Sequence, residues 1–251
     1  MNILVTGAKG FIGKNFICNL KNIRDGKDQT RDISINDVYE YDLDSTEEEL
    51  DRYCERTDFV FHLAGINRPS NNAEFMKGNR DLAEKVLEAL KKHQNRCPVM
   101  LSSSVQATLA GRFGDSEYGR SKLAGEEVLF RYGEETGARV LVYRFPNVFG
   151  KWCKPNYNSA VATFCHHISR DLPIQVNDPA TELTLVYIDD LVAELIDALC
   201  GREHRSENDK DMCFVPESHE ITLGRLAELI EGFEEGRKKA FVPETGDGFI
   251  K

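Results

Sequence analysis

A basic surplus, a membrane-length apolar run and a C-x-x-C cysteine pair are all missing from this 251-residue chain. With 42 Asp and Glu against 32 Lys and Arg, the formal net charge is −10, which argues against nucleic acid or an anionic membrane as partner. No stretch is long enough to span a bilayer, and, with an apolar strand opening the sequence, no signal peptide is expected. The cysteines are odd in number, seven, and scattered: Cys18, Cys54, Cys97, Cys153, Cys165, Cys200 and Cys213. They read as free thiols of a reducing compartment, so a cytoplasmic protein is expected. The same scatter offers no metal site. His166 and His167, neighbours on an expected helix, point to different faces. Internal repeats and low-complexity segments are also absent.

What the chain does have is β–α alternation and enough apolar residues, 41%, to bury a core. An apolar β-branched run, Ile3-Leu4-Val5, leads into Thr6-Gly7-Ala8-Lys9-Gly10-Phe11-Ile12-Gly13 and then into a helical pattern. Glycines at 7, 10 and 13 let the backbone turn sharply from strand to helix. They also let a pyrophosphate approach the helix N-terminus, where unpaired N–H groups and the macrodipole favour negative charge. A glycine triplet alone is weak evidence; the strand–turn–helix setting is what the motif requires. The first helix is expected from Gly13 to Arg24, a second strand within Ile33–Tyr41, and an acidic helix over Thr46–Glu55. Phe59 to Gly65 reads as a fully buried strand, followed by a helix opening at Asn79 and ending near His93. Val99–Ser104 and Arg139–Arg144 read as further strands, separated by a helix over Tyr118–Thr136. Residues 201–210 read as an exposed charged loop, and Arg225, Leu226, Leu229 and Ile230 as part of an amphipathic helix. This succession predicts an α/β fold, a doubly wound parallel sheet with helices on both faces.

A second constellation carries candidate chemistry. Tyr118 and Lys122 are four residues apart, on one helical face one turn apart. A nearby ammonium favours the phenolate and lowers a tyrosine pKa from about 10 toward the working range, as a general acid for carbonyl reduction needs. Ser104, or its neighbour Ser103, ends the preceding strand and could hold the substrate oxygen. A Y-x-x-x-K pair alone is common on solvated helix surfaces. Its place after the glycine loop and a serine-ended strand gives it meaning.

The T-G-x-x-G-x-x-G loop, His62-Leu63-Ala64-Gly65, Ser102-Ser103-Ser104, Tyr118 with Lys122, and Arg144-Phe145-Pro146-Asn147-Val148-Phe149-Gly150 together resemble the extended short-chain dehydrogenase/reductase family, over essentially the whole chain. Val186–Asp190 resembles that family's late strand–helix junction. The resemblance implies an NAD(P)-binding Rossmann fold and, usually, a nucleotide-diphosphate sugar as substrate. It casts Tyr118 as acid/base, Lys122 as its modulator and a nicotinamide-ribose contact, Ser104 as substrate aligner, and Asn147 as a contact to the substrate diphosphate. Gly7, Lys9, Gly10, Phe11, Ile12, Gly13, Asp42, Leu63, Ala64, Gly65, Asn79, Ser102, Phe145 and Pro146 complete the implied cofactor site. The family also implies a homodimer through a four-helix interface, from the helices at Asn79–His93 and Tyr118–Thr136.

A narrower likeness rests on Gly65–Pro69, Leu101–Thr108, Asn147–Ser159, Gln175–Asp178 and Glu182–Leu185. These segments resemble the CapF-type enzymes of capsular-polysaccharide synthesis, which join an N-terminal reductase to a C-terminal zinc-binding cupin domain on the route to UDP-N-acetyl-L-fucosamine. That likeness implies NADPH-dependent reduction of a 4-keto UDP-2-acetamido-2,6-dideoxyhexose, by a fragment lacking the cupin half. An NAD-dependent nucleotide-sugar epimerase is the nearest alternative, and a non-catalytic dinucleotide-binding sensor the alternative of another class. Dehydration is disfavoured: where the 4,6-dehydratase branch has an Asp-Glu pair, this chain has Val105 and Gln106, which transfer no proton.

Two charge readings stay open for the dinucleotide. Lys9, with Arg31, could meet an adenosine 2′-phosphate, whereas Asp37, Asp42 or Asp44 could bind ribose hydroxyls. NADP(H) is the preferred expectation, with NAD(H) possible. For the substrate, Arg68, Lys151 and Lys154 could offset diphosphate charge, Gln106 could contact the sugar, and Trp152 and Tyr157 offer faces to a uracil ring. The expected division is a dinucleotide-binding domain over 1–150, completed by about 185–200, and a substrate lobe over 151–184 and 201–251.

Overall fold

The computed structural model describes residues 1–207, 209–240 and 246–250. The chain divides into two compact units: Met1–Phe145 with Val192–Val215, and Pro146–Leu191 with Pro216–Lys251.

In the first unit, six strands lie in the order β2-β1-β3-β4-β5-β8. They are β1 (Asn2–Thr6), β2 (Asp37–Tyr41), β3 (Phe59–His62), β4 (Val99–Ser104), β5 (Val140–Phe145) and β8 (Met212–Cys213), every pair parallel. β3 and β4 are buried along their whole length, as a sheet covered on both faces demands. The covering helices are α1 (Phe11–Arg24), α2 (Glu47–Arg56), α4 (Leu82–Lys92) and α5 (Glu117–Thr136). Leu4, Val60, Leu87, Leu101, Leu129 and Val142 form one apolar core between strands and helices. α2 begins one residue after its cap: Thr46 Oγ1 accepts from Glu49 N at 3.2 Å, and Glu49 Oε2 accepts from Thr46 N at 2.8 Å. α5 is capped by Ser116, whose Oγ accepts from Gly119 N at 2.9 Å, and it closes on Gly137 at φ +74°.

Three expectations need correction. β3 stops at His62, and Leu63-Ala64-Gly65 runs on outside the strand as irregular backbone. The helix expected to open at Asn79 starts earlier. A short α-helix, α3 (Ala73–Met76), runs into a π turn at Lys77–Asp81 and continues as α4, with Asn79 inside the π turn. Residues 201–215, expected in the substrate lobe, belong to the first unit, because β8 pairs with β5. That segment is also tied down: His204 Nδ1 meets Glu194 Oε2 at 2.6 Å, and Arg205 Nη2 pairs with Glu203 at 2.9 Å.

Sheet order reverses between β1 and β3, and in open α/β sheets ligands bind beyond the carboxyl ends of the strands at that point. The two strands are clasped there. Thr6 Oγ1 accepts from Ala64 N at 3.3 Å and lies 2.9 Å from His62 Nδ1. The Thr6 oxygen has lone pairs enough to serve both neighbours, and the buried His62 Nε2 has no partner among the described residues.

The second unit has a three-stranded sheet, β6 (Asn147–Phe149), β7 (Glu182–Tyr187) and β9 (His219–Thr222), in that order. α6 (Ala160–Ile168) and α8 (Leu223–Lys238) cover it, packing Phe164, Ile168, Leu185, Leu226 and Ile230 together. The twelve-residue α7 (Ile188–Leu199) contains the point at which the chain passes between units. Among the described residues no helix is long and apolar enough to cross a membrane, and no cluster of His, Cys, Asp and Glu could hold a metal ion.

Burial, and then the charge of Lys122, pushes the His62 imidazole down to about 3 from 6.5. Between those values the unfolded chain binds a proton that the native state refuses, so stability falls as pH drops from 6.5 toward 3. His62→Asn, which keeps a partner for Thr6, should flatten that dependence by about one proton in urea titrations across the window.

Candidate active site

Gly7 turns from β1 into the loop at φ +70°, and a Cβ there would stand 2.7 Å from Ala64 N. Only glycine lets the two loops of the switch point touch. α1 then starts at Phe11 on Gly10, with no side-chain cap and no acid in its first turn. Its N-terminal amides are left for an anion, which fits a dinucleotide pyrophosphate. Ile12 lies half-buried beside them, and Gly13 is buried in the first turn of α1.

β2 ends at Tyr41, so Asp42 is the first residue past the strand, and its Oδ2 accepts from Lys9 N at 2.6 Å. Asp37, at the opposite end of β2, is removed from the crevice. The Lys9 ammonium pairs with Asp44, and Arg31 pairs with Asp197 at 3.3 Å.

On the other side of the crevice, Tyr118 and Lys122 lie on one face of α5. The Lys122 Nζ is 5.8 Å from the Tyr118 ring centroid and donates to the Ser102 carbonyl at 2.9 Å. Lys122 is only 6% exposed, and burial pushes its amine down to about 8, while Glu126 opposes the shift. Phe75 of α3 packs a tilted ring on Tyr118, centroids 5.7 Å apart. Asn79 is spent as a clamp: Oδ1 accepts from Ile66 N at 2.9 Å, and Nδ2 donates to Ile66 O and to Ser121 Oγ, each at 2.9 Å. Ser121 Oγ in turn donates to Tyr118 O at 2.8 Å. The π turn thus ties the Gly65–Ile66 segment to α5, the helix that carries Tyr118.

The three serines of β4 have separate duties. Ser102 gives its carbonyl to Lys122, and the Ser103 hydroxyl proton is committed to buried Glu126. Ser104 Oγ accepts from Gln106 N at 3.3 Å and donates to no described residue, which leaves its proton for a substrate oxygen. Phe145 pairs with Ser104 across β4 and β5 and stacks on Tyr143 at 5.6 Å. Gln106 Oε1 accepts from Ser116 Oγ at 2.8 Å, and Arg68 is exposed.

The remaining sequence-selected residues lie in the second unit. Pro146 opens it, half-buried, and Asn147 Nδ2 donates to Thr184 O at 3.3 Å. Lys151 pairs with Asp189 at 2.7 Å, Lys154 is exposed, and Tyr157 is 40% exposed. The loop carrying them holds two non-glycine residues at positive φ, Trp152 at 68° and Asn156 at 56°. Asn156 is anchored by His167, whose Nε2 lies 2.9 Å from Asn156 Oδ1.

Glu126, Arg144 and Ser121 went unselected in the sequence. A signal existed: Glu126 extends the spacing of Tyr118 and Lys122 by one more turn, and Arg144 is the charged member of an otherwise apolar strand.

A strand–glycine loop–helix with an uncapped helix start, together with a Tyr–Lys pair on one helix face, is the pattern of the NAD dependent epimerase/dehydratase class. Residues 3–210 match the NAD dependent epimerase/dehydratase family, and the chain belongs to that family. It is 40% identical over its whole length to the UDP-2-acetamido-2,6-beta-L-arabino-hexul-4-ose reductase of Pseudomonas aeruginosa, of which it covers 62%. The crystal structure of the capsular polysaccharide assembling protein CapF from Staphylococcus aureus superimposes with a TM-score of 0.84 at 40% identity, covering 100% of this chain and 62% of that one. The UDP-glucuronic acid 4-epimerase of Bacillus cereus, solved with NAD, shares the fold at 19% identity and a TM-score of 0.75, over 94% of this chain and 85% of that one. The chain thus spans about three fifths of the length of the two relatives it resembles at 40% identity.

A Cβ on Gly65 would lie 2.7 Å from Asn79 Oδ1 and 2.8 Å from Lys122 Nζ. Gly65→Ala should therefore lower turnover by about a hundredfold through displacement of Lys122, with circular dichroism unchanged.

Proposed function

We propose that this chain reduces the 4-keto group of a UDP-2-acetamido-2,6-dideoxyhexose during surface-polysaccharide precursor synthesis, with Tyr118 as proton donor. The observation that carries the reading is Lys122, buried beneath the Tyr118 ring with its Nζ on the Ser102 carbonyl, beside the Gly65 segment of the dinucleotide crevice. The name of the Pseudomonas aeruginosa relative supplies the substrate class.

When bound at the Gly7–Gly13 loop, the dinucleotide supplies hydride to the ketone carbon. The Tyr118 hydroxyl gives its proton to the carbonyl oxygen, and the Lys122 ammonium favours the phenolate left behind. Ser104 donates to the same oxygen and orients it. Val105 and Gln106 bring no carboxylate to this place, which supports reduction over water elimination. In the second unit Asn147, Lys151, Lys154 and Tyr157 are the groups proposed for the UDP moiety, and α4 with α5 the proposed surface for pairing two copies.

For the dinucleotide, the charges support NADH over the NADPH preference expected from Lys9. Asp42, the first residue past β2, is the carboxylate that would meet the adenosine ribose hydroxyls, and the Lys9 ammonium is paired with Asp44. Steady-state kinetics with a 4-keto UDP-sugar should give kcat/KM for NADH above that for NADPH by about tenfold, and Asp42→Ser should shrink the ratio. A wild-type preference for NADPH would return the assignment to Lys9. Tyr118→Phe should lower kcat by about 10³-fold while dinucleotide affinity, read by fluorescence titration, stays within about threefold. Retained turnover in that variant would defeat the reductase reading.

A further inference from the structure

We propose that Glu126 is a positioning residue for the proton-transfer pair, its buried carboxylate holding Lys122 and the end of β4 in a single arrangement through Ser103 and Arg144. The proposal rests on the reductase reading of Tyr118 and Lys122.

Tyr118, Lys122 and Glu126 descend one face of α5 at four-residue intervals, and exposure falls along the row from half-buried Tyr118 to 6% at Lys122 and 1% at Glu126. A carboxylate so deep must be fully compensated. Arg144 supplies Nη2 to Oε2 at 2.6 Å and Nε to Oε1 and Oε2 at 2.9 and 3.2 Å, and Ser103 donates its hydroxyl to Oε1. Arg144 lies directly beside Ser103 in the register of β4 and β5. The carboxylate therefore fixes the strand residue between Ser102, whose carbonyl holds Lys122, and Ser104, whose hydroxyl is free to meet substrate.

Stability alone does not call for this pair. Replacing a buried ion pair by apolar side chains is often neutral or stabilising, and α5 already docks on the core through Val128, Leu129 and Tyr132. Charge is what an apolar residue could not provide. The groups facing Lys122 are Tyr118 and Glu126 from its own helix, neutral His62 from β3, the Asn79 carboxamide from the π turn and the Ser102 carbonyl, with Arg144 reaching Glu126 from β5. Glu126 supplies the negative charge that opposes burial of the Lys122 ammonium. Without it Lys122 would release its proton at lower pH, and the neutral amine would no longer favour the Tyr118 phenolate.

The test compares wild type, Glu126→Gln and Glu126→Gln/Arg144→Gln, the double variant removing both charges while keeping amide hydrogen bonds. NMR of isotopically labelled lysine, with Lys122 assigned through Lys122→Arg, should show its titration midpoint lowered by at least about half a pH unit in both variants. The alkaline limb of kcat should move the same way, with kcat at pH 8 reduced by about tenfold and dinucleotide KM within about threefold. Folded variants that keep the wild-type Lys122 midpoint and kcat profile overturn the proposal. Should Glu126→Gln fail to fold, Glu126→Asp, which withdraws the charge by one methylene, carries the same readout: a lowered midpoint supports the proposal and an unchanged one overturns it. Wild-type protein that binds dinucleotide but reduces no 4-keto UDP-sugar would defeat the reductase reading alone, since the Lys122 titration decides the role of Glu126 without substrate.

Discussion

Burial of one ammonium group organises this molecule. Lys122 sits where β4 ends, in a place from which water is nearly excluded, and its Nζ is directed onto the Ser102 carbonyl. Desolvation works against the charge, and the surroundings answer with a carbonyl dipole and a nearby carboxylate. The cost of keeping a cation in that position is met by the same groups that aim it at Tyr118. Beside it, a Cβ on Gly65 would come within 2.8 Å of Nζ, so bulk added there would press on the charge.

The two sides of the crevice use opposite electrostatic strategies. Beneath the glycine loop, α1 presents uncapped amides and no acidic residue in its first turn, a diffuse positive end suited to a diffuse anion. Across from it, the Tyr118–Lys122 side relies on discrete, buried, hydrogen-bonded charges whose positions are over-determined. A pyrophosphate tolerates some freedom of placement, whereas proton transfer does not.

Much of this was legible in the residues. The glycine loop, the alternation of strands and helices, and the Tyr118–Lys122 spacing all express local rules that act over one or two turns, and the structure places them as those rules require. β3 was read too long because Leu63 and Ala64 are apolar, although their backbone has already left the sheet to meet Gly7. Asn79 was read as the residue that opens a helix, a place the family resemblance gave it; a π turn leaves no mark in an apolar periodicity. Glu126 and Arg144 looked like ordinary helix and strand charges, since their partnership joins residues 18 apart in sequence that meet only when α5 lies on β5. The pairing of Lys9 with Asp44 is likewise made by the fold, which brings residues 35 apart together at the end of β2.

The π turn at Lys77–Asp81 also sets a phase. A helix advances by roughly 100° per residue, so one surplus residue in the ladder rotates everything before it relative to everything after. α4 keeps its apolar side on the core, while α3 is turned so that Phe75 lies against the Tyr118 ring. Removing a single residue from this turn would leave both helical segments intact, yet it would swing the phenylalanine away from the phenol. The bulge is thus a rotational setting between a scaffold helix and the aromatic ring laid on Tyr118.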